Sequence, residues 1–347
     1  MSKESPKNRS SLFFVGPNQV KTRNEPLPSP GRNEVLVRAT ISAVSAGTEM
    51  LLYRNQVDDG IKLDSALAAL GTPFHYPFKY GYALVGTVER RGRGVPKEWQ
   101  GRKVFCFHPH ESHFVSSLAD LIPVPKGMNA EDAVFLPFME TALCFVMDGR
   151  PVVGEKVVVL GQGVIGLLTT AILSSFPLSR LVTLDAIKTR RQKSLVMGAD
   201  RSFDSSTTPV ELLKQSDMDD GKADLVFEVS GNPQAIDYAL SIAGFDARLV
   251  LGSWYGNKPS VVHLGREFHR NRVHMISSQV SSVAPSLQGR WSKARRIEFT
   301  WKLLDKIRPS KLITHRFPLE DAASAYQLID DNSEEVGQLV FVYDERQ

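Results

Sequence analysis

Short runs in which apolar and polar residues alternate dominate the first third of the chain. They predict strands at 35–39, 83–89 and 103–107, punctuated throughout by Gly and Pro. Around Ala130 the apolar spacing lengthens to a helical one that stops before Gly149. Strand and helix then alternate. β-Branched runs at 156–160, 180–184, 225–229, 248–251 and 273–277 are separated by helical spacing, the rhythm of a parallel sheet. A helix from about Trp291 to Ile307 and a last strand at 339–343 close the pattern, and that strand should find its partners in the early part of the chain. The expected fold class is α/β: a doubly wound parallel-sheet domain over 149–283 beside a mainly β domain built from both chain ends, 1–148 and 284–347. No internal repeat or low-complexity tract breaks this order.

Composition narrows the classes. With 347 residues, 42% of them hydrophobic and 23% charged, the chain can bury two cores and is not a disordered one. A net charge of +4 is too small to argue for a nucleic-acid partner. Cys106 and Cys144 are the only cysteines, so neither a disulfide framework nor a four-cysteine zinc lobe can form within one chain, and a reducing cytoplasm is the expected location. Residues 1–11 are polar, carry Lys3, Lys7 and Arg9, and have no apolar core after them; they are expected to be a loose tail rather than a secretory signal. Between Lys156 and Arg180 there is no charge, a length that could span a membrane, but Gly161, Gly163 and Gly166 divide it into a buried strand, a tight turn and a core helix. No membrane partner is expected.

The turn carries the first chemistry. Val157-Val158-Val159-Leu160 runs into Gly161-Gln162-Gly163-Val164-Ile165-Gly166, and an apolar helix follows. In a GxGxxG turn the first glycine permits the sharp bend, the second lets backbone approach a diphosphate, and the third lets helix and strand pack closely; the phosphates sit on N–H groups of the first helical turn, here those of Val164 and Ile165. The next strand ends at Asp185, 19 residues after Gly166, where an acidic side chain accepts ribose hydroxyls and repels a 2′-phosphate. NAD is therefore the expected cofactor, with NADP kept open by Lys188, Arg190 and Arg191. Ser230 and the pair Gly252 and Ser253 follow later strand ends, where nicotinamide and its ribose would lie, although small residues there are equally ordinary loop chemistry.

With these parts in this order, the chain resembles the medium-chain dehydrogenase/reductase superfamily, from Glu34-Val35-Leu36-Val37-Arg38 to Leu312-Ile313-Thr314-His315-Arg316-Phe317-Pro318-Leu319-Glu320-Asp321-Ala322. The resemblance implies a Rossmann domain joined to a GroES-like catalytic domain, a small-molecule substrate and a homodimer. Zinc-dependent members take ligands from Cys-Gly-Thr/Ser-Asp and Gly-His-Glu motifs. This chain reads Ala46-Gly47-Thr48-Glu49 and Gly81-Tyr82-Ala83 at those places, and the cysteine-rich lobe is missing between Arg90 and Phe105, so no zinc is expected. Narrower similarity, in Lys79-Tyr80-Gly81-Tyr82, Met139-Glu140-Thr141-Ala142, Ser253-Trp254-Tyr255-Gly256 and Ser277-Ser278-Gln279-Val280, is to the bacteriochlorophyllide a dehydrogenase branch. That branch implies NAD-linked oxidation of a hydroxyethyl group on a planar chlorin ring, and it also holds relatives with other substrates.

Without a metal, side-chain donors must assist hydride transfer. Thr48 stands where the superfamily's proton-relay hydroxyl stands, or is a turn residue after Gly47. Tyr82 replaces the lost histidine and either donates to the substrate oxygen or fills the vacated space. Glu140, near the usual third-ligand position, either handles a proton or caps a helix. Phe74, His75, Tyr76, His108, His110 and His113 are candidates to line a pocket, with a solvated loop as the ordinary reading of the histidines. Arg290, Arg295 and Arg296 read by default as a solvent face. An alcohol dehydrogenase or carbonyl reductase acting on a bulky ring substrate leads; an NADPH-dependent enone or quinone reductase and a non-catalytic, nucleotide-binding redox sensor are the alternatives.

Overall fold

In the computed structural model, which describes residues 7–58, 60, 74–206, 214 and 221–343, the chain forms two units, Met1–Pro137 with Arg308–Gln347, and Phe138–Ile307. The first begins with an antiparallel hairpin, β1 (Asn8–Gly16) and β2 (Gln19–Pro26), turned at Asn18 with φ 57°. Residues 8–11 are thus part of a strand and not the loose tail that their polarity suggested. Leu12 and Phe14 anchor it in the core, and Arg9 and Ser11 bond the buried Glu111. The polar residues of β1 find their partners about 100 positions away, which local reading cannot see.

β3 (Glu34–Ala43) is the centre of the main sheet of this unit, antiparallel to β4 (Leu84–Arg91) and β6 (His113–Ser117). β5 (Lys103–Cys106) joins β4 to β7 (Leu121–Pro123). Val35, Val37, Val88, Val104 and Phe114 pack one core; a second gathers Leu12, Phe14, Leu52, Tyr80, Tyr326 and Phe341.

The second unit holds the parallel sheet: β8 (Lys156–Leu160), β9 (Arg180–Leu184), β10 (Arg201–Phe203), β11 (Ala223–Glu228), β12 (Ala243–Leu251) and β13 (His274–Ser277). Its order is β10-β9-β8-β11-β12-β13, with every described pairing parallel. Order reverses between β8 and β11, and ligands of doubly wound sheets bind at the carboxyl ends of such neighbouring strands. The chain then returns to the first unit through β14 (Ile313–Pro318), the helix Ala322–Asp331 and β15 (Gln338–Val342), which pairs antiparallel with β3 at Val340 and Ala43.

The seams fall at 137/138 and 307/308, outside the 148/149 and 283/284 that the strand pattern suggested. The helix Leu136–Gly149, from Phe138 on, and the helix Lys293–Ile307 fall in the parallel-sheet unit, where a buried ion pair ties them to each other: Arg296 donates through Nε to Glu140 Oε1 at 3.0 Å, and its Nη2 lies 2.9 Å from the same oxygen. Arg296 is 1% exposed and also donates to the carbonyls of Ser282 and Val280. This corrects the reading of the arginine run as wholly a solvent face. Successive helical residues stand about 100° apart, so Arg295 lies outside on the Trp291 ring while Arg296 turns inward.

Removing one partner of a buried pair strands the other charge, at about 3–5 kcal/mol. We expect Arg296→Met to lower the unfolding free energy of the protein by about that amount. The double variant with Glu140→Leu should recover much of it, whereas Arg295→Met changes little. Equal losses for Arg295→Met and Arg296→Met in urea titrations would remove the pair from its structural role.

Candidate active site

The glycine turn is built as its spacing suggests. Gly161 has φ +90°, and a side chain there would strike Ser230 Cα at 2.5 Å. A Cβ on Gly166 would collide with the Gly161 carbonyl oxygen. Gly163, the residue that opens the helix Val164–Leu173, has nothing within 4 Å of where its Cβ would be, so its backbone stays open to approach. Val164 and Ile165 follow in the first helical turn, half-buried. The Gln162 side chain folds inward, donating to the Gly161 carbonyl at 2.9 Å and accepting from Thr170 at 3.1 Å.

Asp185, 8% exposed, closes this turn from the end of β9. One carboxylate oxygen accepts the Gln162 N–H at 2.7 Å and the other the Ile187 N–H at 2.8 Å. Each oxygen keeps a further lone pair for a ligand hydroxyl. Of the nearby cations, Arg191 is committed to the carbonyls of Asp185 and Ala186 and to Asp204, Lys188 is exposed and Arg190 half-buried.

Beside Gly161, the fully buried Glu228 at the end of β11 accepts from Ser230 N–H at 2.8 Å, from Ser230 Oγ and from Tyr255. Burial and the Glu228 charge push the Tyr255 phenol well above its ordinary range, so it remains a donor. Ser253 Oγ accepts the Gly231 N–H at 2.9 Å. Gly252 owes its size to packing, because a Cβ there would meet the Phe145 ring at 2.5 Å. The turn, Asp185 and the Ser230 loop thus form one backbone-lined edge that fits a dinucleotide. Glu228 was missed in the sequence because a carboxylate within an apolar strand shows its donors only when folded.

Of the remaining candidates, Thr48 and Tyr82 lie in the first unit. Tyr82 donates its phenol hydrogen to Ser45 Oγ and stands 3.5 Å from Thr48 Oγ1, so hydroxyls of residues 45, 48 and 82 form one cluster. Ser45 is the member that sequence reading overlooked: it stands just before the helix Ala46–Tyr53, and its contact with Tyr82, 37 positions along, exists only in the fold. Alternate aromatic rings approach Tyr82 in succession, Phe74 to Tyr76 at 5.1 Å, Tyr76 to Phe78 at 5.5 Å, Phe78 to Tyr80 at 6.3 Å and Tyr80 to Tyr82 at 6.1 Å. Phe74 itself is core, at 1% exposure.

His108, His110 and His113 are not the solvated loop expected of them, whereas His75 is exposed. His110 is wholly buried, with Nε2 3.1 Å from Glu49 Oε2 and Nδ1 2.7 Å from Ser42 Oγ. His113 is 2% exposed, and burial pushes its imidazole below the usual range. His108 stacks on Phe114 at 3.9 Å and bonds Glu111. A buried carboxylate on another segment, Glu49, meets His110, whereas His108 finds Glu111 three residues along its own segment. Burial alone would raise the Glu111 carboxyl, but hydrogen bonds and charge from His108 and Lys79 outweigh it and hold it at about 2.

Glu140 belongs to the other unit, on Arg296, and burial pushes its carboxyl upward against the pull of Arg296 and Lys293. Among the described residues, no group of three or more His, Cys, Asp or Glu could hold a metal ion. The described helices include none long and apolar enough to cross a membrane.

In sequence and in fold the chain is similar to oxidoreductases of the medium-chain dehydrogenase/reductase type. Residues 164–297 match the family model described as zinc-binding dehydrogenase. The chain is 22% identical to the starvation-sensing protein RspB of Escherichia coli K12, over 96% of this chain and 99% of that one. It is likewise 22% identical to human sorbitol dehydrogenase, over 92% of each. The crystal structure of a short chain alcohol dehydrogenase, rspB of Escherichia coli CFT073, complexed with NADH, superposes with a TM-score of 0.78 at 20% identity, covering 97% of this chain and all of that one.

Proposed function

We propose that the protein is a zinc-independent, NAD-linked dehydrogenase of secondary alcohols, equally a carbonyl reductase in reverse, whose substrate carries a sizeable ring. The observation behind this reading is the hydroxyl cluster of Ser45, Thr48 and Tyr82, formed by the two segments that read Ala46-Gly47-Thr48-Glu49 and Gly81-Tyr82-Ala83 in place of the resembled superfamily's cysteine and histidine motifs. Hydroxyls are neutral and poor zinc ligands, and Ala46 and Ala83 offer no donor at all. Zinc therefore does not fit these residues, although the matched family model and several relatives are named for it.

NAD fits the second unit. Gly163, Val164 and Ile165 would take the diphosphate on backbone N–H groups, Asp185 the adenosine ribose hydroxyls, and Ser230, Gly252 and Ser253 the nicotinamide side. Bound nicotinamide supplies the hydride acceptor. In the hydroxyl cluster, Tyr82 has its hydrogen on Ser45, so its phenol oxygen accepts the substrate hydroxyl, and Thr48 provides the adjoining hydroxyl. The half-buried Tyr82 ring, edge-on to Tyr80, offers an aromatic face to a planar substrate. Glu140, already neutralised by Arg296, serves the frame rather than proton transfer.

The test is turnover of NAD with a panel of cyclic and aryl secondary alcohols, with sorbitol as the polyol control, in chelator and with zinc measured in the same sample. We expect oxidation of ring alcohols at undiminished rate without stoichiometric zinc. Activity that disappears with chelator and returns with zinc would overturn the metal-free reading. Nucleotide binding without turnover of any alcohol or ketone favours the sensor, and reduction of enones by NADPH the reductase alternative.

Asp185 should set cofactor choice, since its charge opposes a 2′-phosphate. Asp185→Asn is expected to shift the ratio of NAD to NADP affinity by about tenfold toward NADP, about 1.4 kcal/mol. An unchanged ratio in calorimetry argues against it.

We also propose a homodimer through the edge of β13. That strand ends the six-stranded sheet, and Met275 on it is 36% exposed. Such an edge pairs readily with a second copy. Sedimentation equilibrium should report the mass of two chains, and a monomer at micromolar concentration contradicts it.

A further inference from the structure

A serine at the start of a helix ordinarily accepts a backbone N–H from the first turn. Ser45 does not: its side chain makes no cap bond to the helix Ala46–Tyr53. The backbone of Ser45 is instead fixed by Glu49, whose Oε1 accepts the Ser45 N–H at 2.7 Å, while the Ser45 carbonyl accepts from Thr48 at 3.0 Å and Glu49 at 2.7 Å. The side-chain oxygen is left to accept the Tyr82 phenol.

Glu49 is itself held from behind. Wholly buried, it accepts from the Tyr326 phenol and lies 3.1 Å from His110 Nε2. His110 Nδ1 meets Ser42 Oγ at 2.7 Å, and Ser42 meets the Tyr343 phenol at 2.8 Å. With a hydrogen assigned to His110 Nε2 and Nδ1 accepting, every step from Tyr343 through Ser42 and His110 to Glu49 has one donor and one acceptor. The carboxylate that grips Ser45 thus has three donors replacing water, which makes it a rigid anchor.

We propose that Ser45, fixed by Glu49, is the positioning residue for Tyr82. It takes the phenol hydrogen, and so sets both the ring's place and its role as acceptor of the substrate hydroxyl. This rests on the reading of Tyr82 given above, which a Tyr82→Phe variant tests separately: full turnover in that variant would sink the Tyr82 reading without touching the bond to Ser45.

The bond is read without substrate, from the ¹³Cζ resonance of labelled Tyr82, assigned by its absence in Tyr82→Phe. Ser45→Ala is expected to move that resonance and Ser45→Thr, which keeps a hydroxyl, to restore it. Glu49→Gln should move it partway; if that variant does not fold, the two Ser45 variants carry the test. With a ring alcohol oxidised by the wild type, Ser45→Ala should lower kcat about tenfold with KM changed less than about twofold, and Ser45→Thr should regain most of the rate. A Tyr82 resonance indifferent to Ser45→Ala overturns the proposal, as does a kcat that Ser45→Thr fails to rescue.

Discussion

A carboxylate taken out of water persists only where donors replace the lost hydration, and that requirement organises this protein more than any single apolar contact. Glu49, Glu140, Asp185 and Glu228 are each 8% exposed or less, and each gathers partners distant in the chain. Glu140 takes Arg296 and so ties two helices into the parallel-sheet unit. Asp185 takes the Gln162 N–H and so shapes the glycine turn. Glu228 takes Ser230 and Tyr255 and so sets the loop that packs on Gly161. Glu49 takes Ser45, His110 and Tyr326 and lies behind the hydroxyl cluster.

Two kinds of rigidity follow. On the nucleotide side, the precision is steric: a side chain at Gly161 or Gly166 would collide with neighbouring backbone, so strand, turn and helix have one way to close. On the hydroxyl side, the precision is electrostatic, because bonds to a buried charge are shorter and stronger than those between neutral groups. A cluster of neutral hydroxyls gains fixed donor and acceptor roles from the anion behind it. The proposed activation of an alcohol without a metal depends on such fixed roles, because the hydroxyls would have to do what a cation does when it lowers an alcohol's pKa.

Most of the architecture was legible in the sequence. Period and composition marked β8 and β9 with their observed ends, and the fold class, because buried parallel strands read as unbroken β-branched runs. The hairpin β1–β2 was not legible: its polar positions look like solvent until Glu111 and Ser112 arrive from about 100 residues away. The arginine run and the histidines misled for the same reason. Charge and polarity in a segment default to water, and only the fold supplied Glu140 for Arg296 and Glu49 for His110.

By itself the sequence determined what local stereochemistry decides: the glycine bend, the acid that ends the following strand, and the loss of cysteine and histidine from two short motifs. Tertiary structure decided which polar groups were buried and with whom, and so turned a helix-opening serine toward Tyr82 and paired Glu140 with Arg296. The division is physical. Backbone preference acts over a few residues, whereas the partner of a buried charge is chosen by whichever distant segment can reach it when water is excluded.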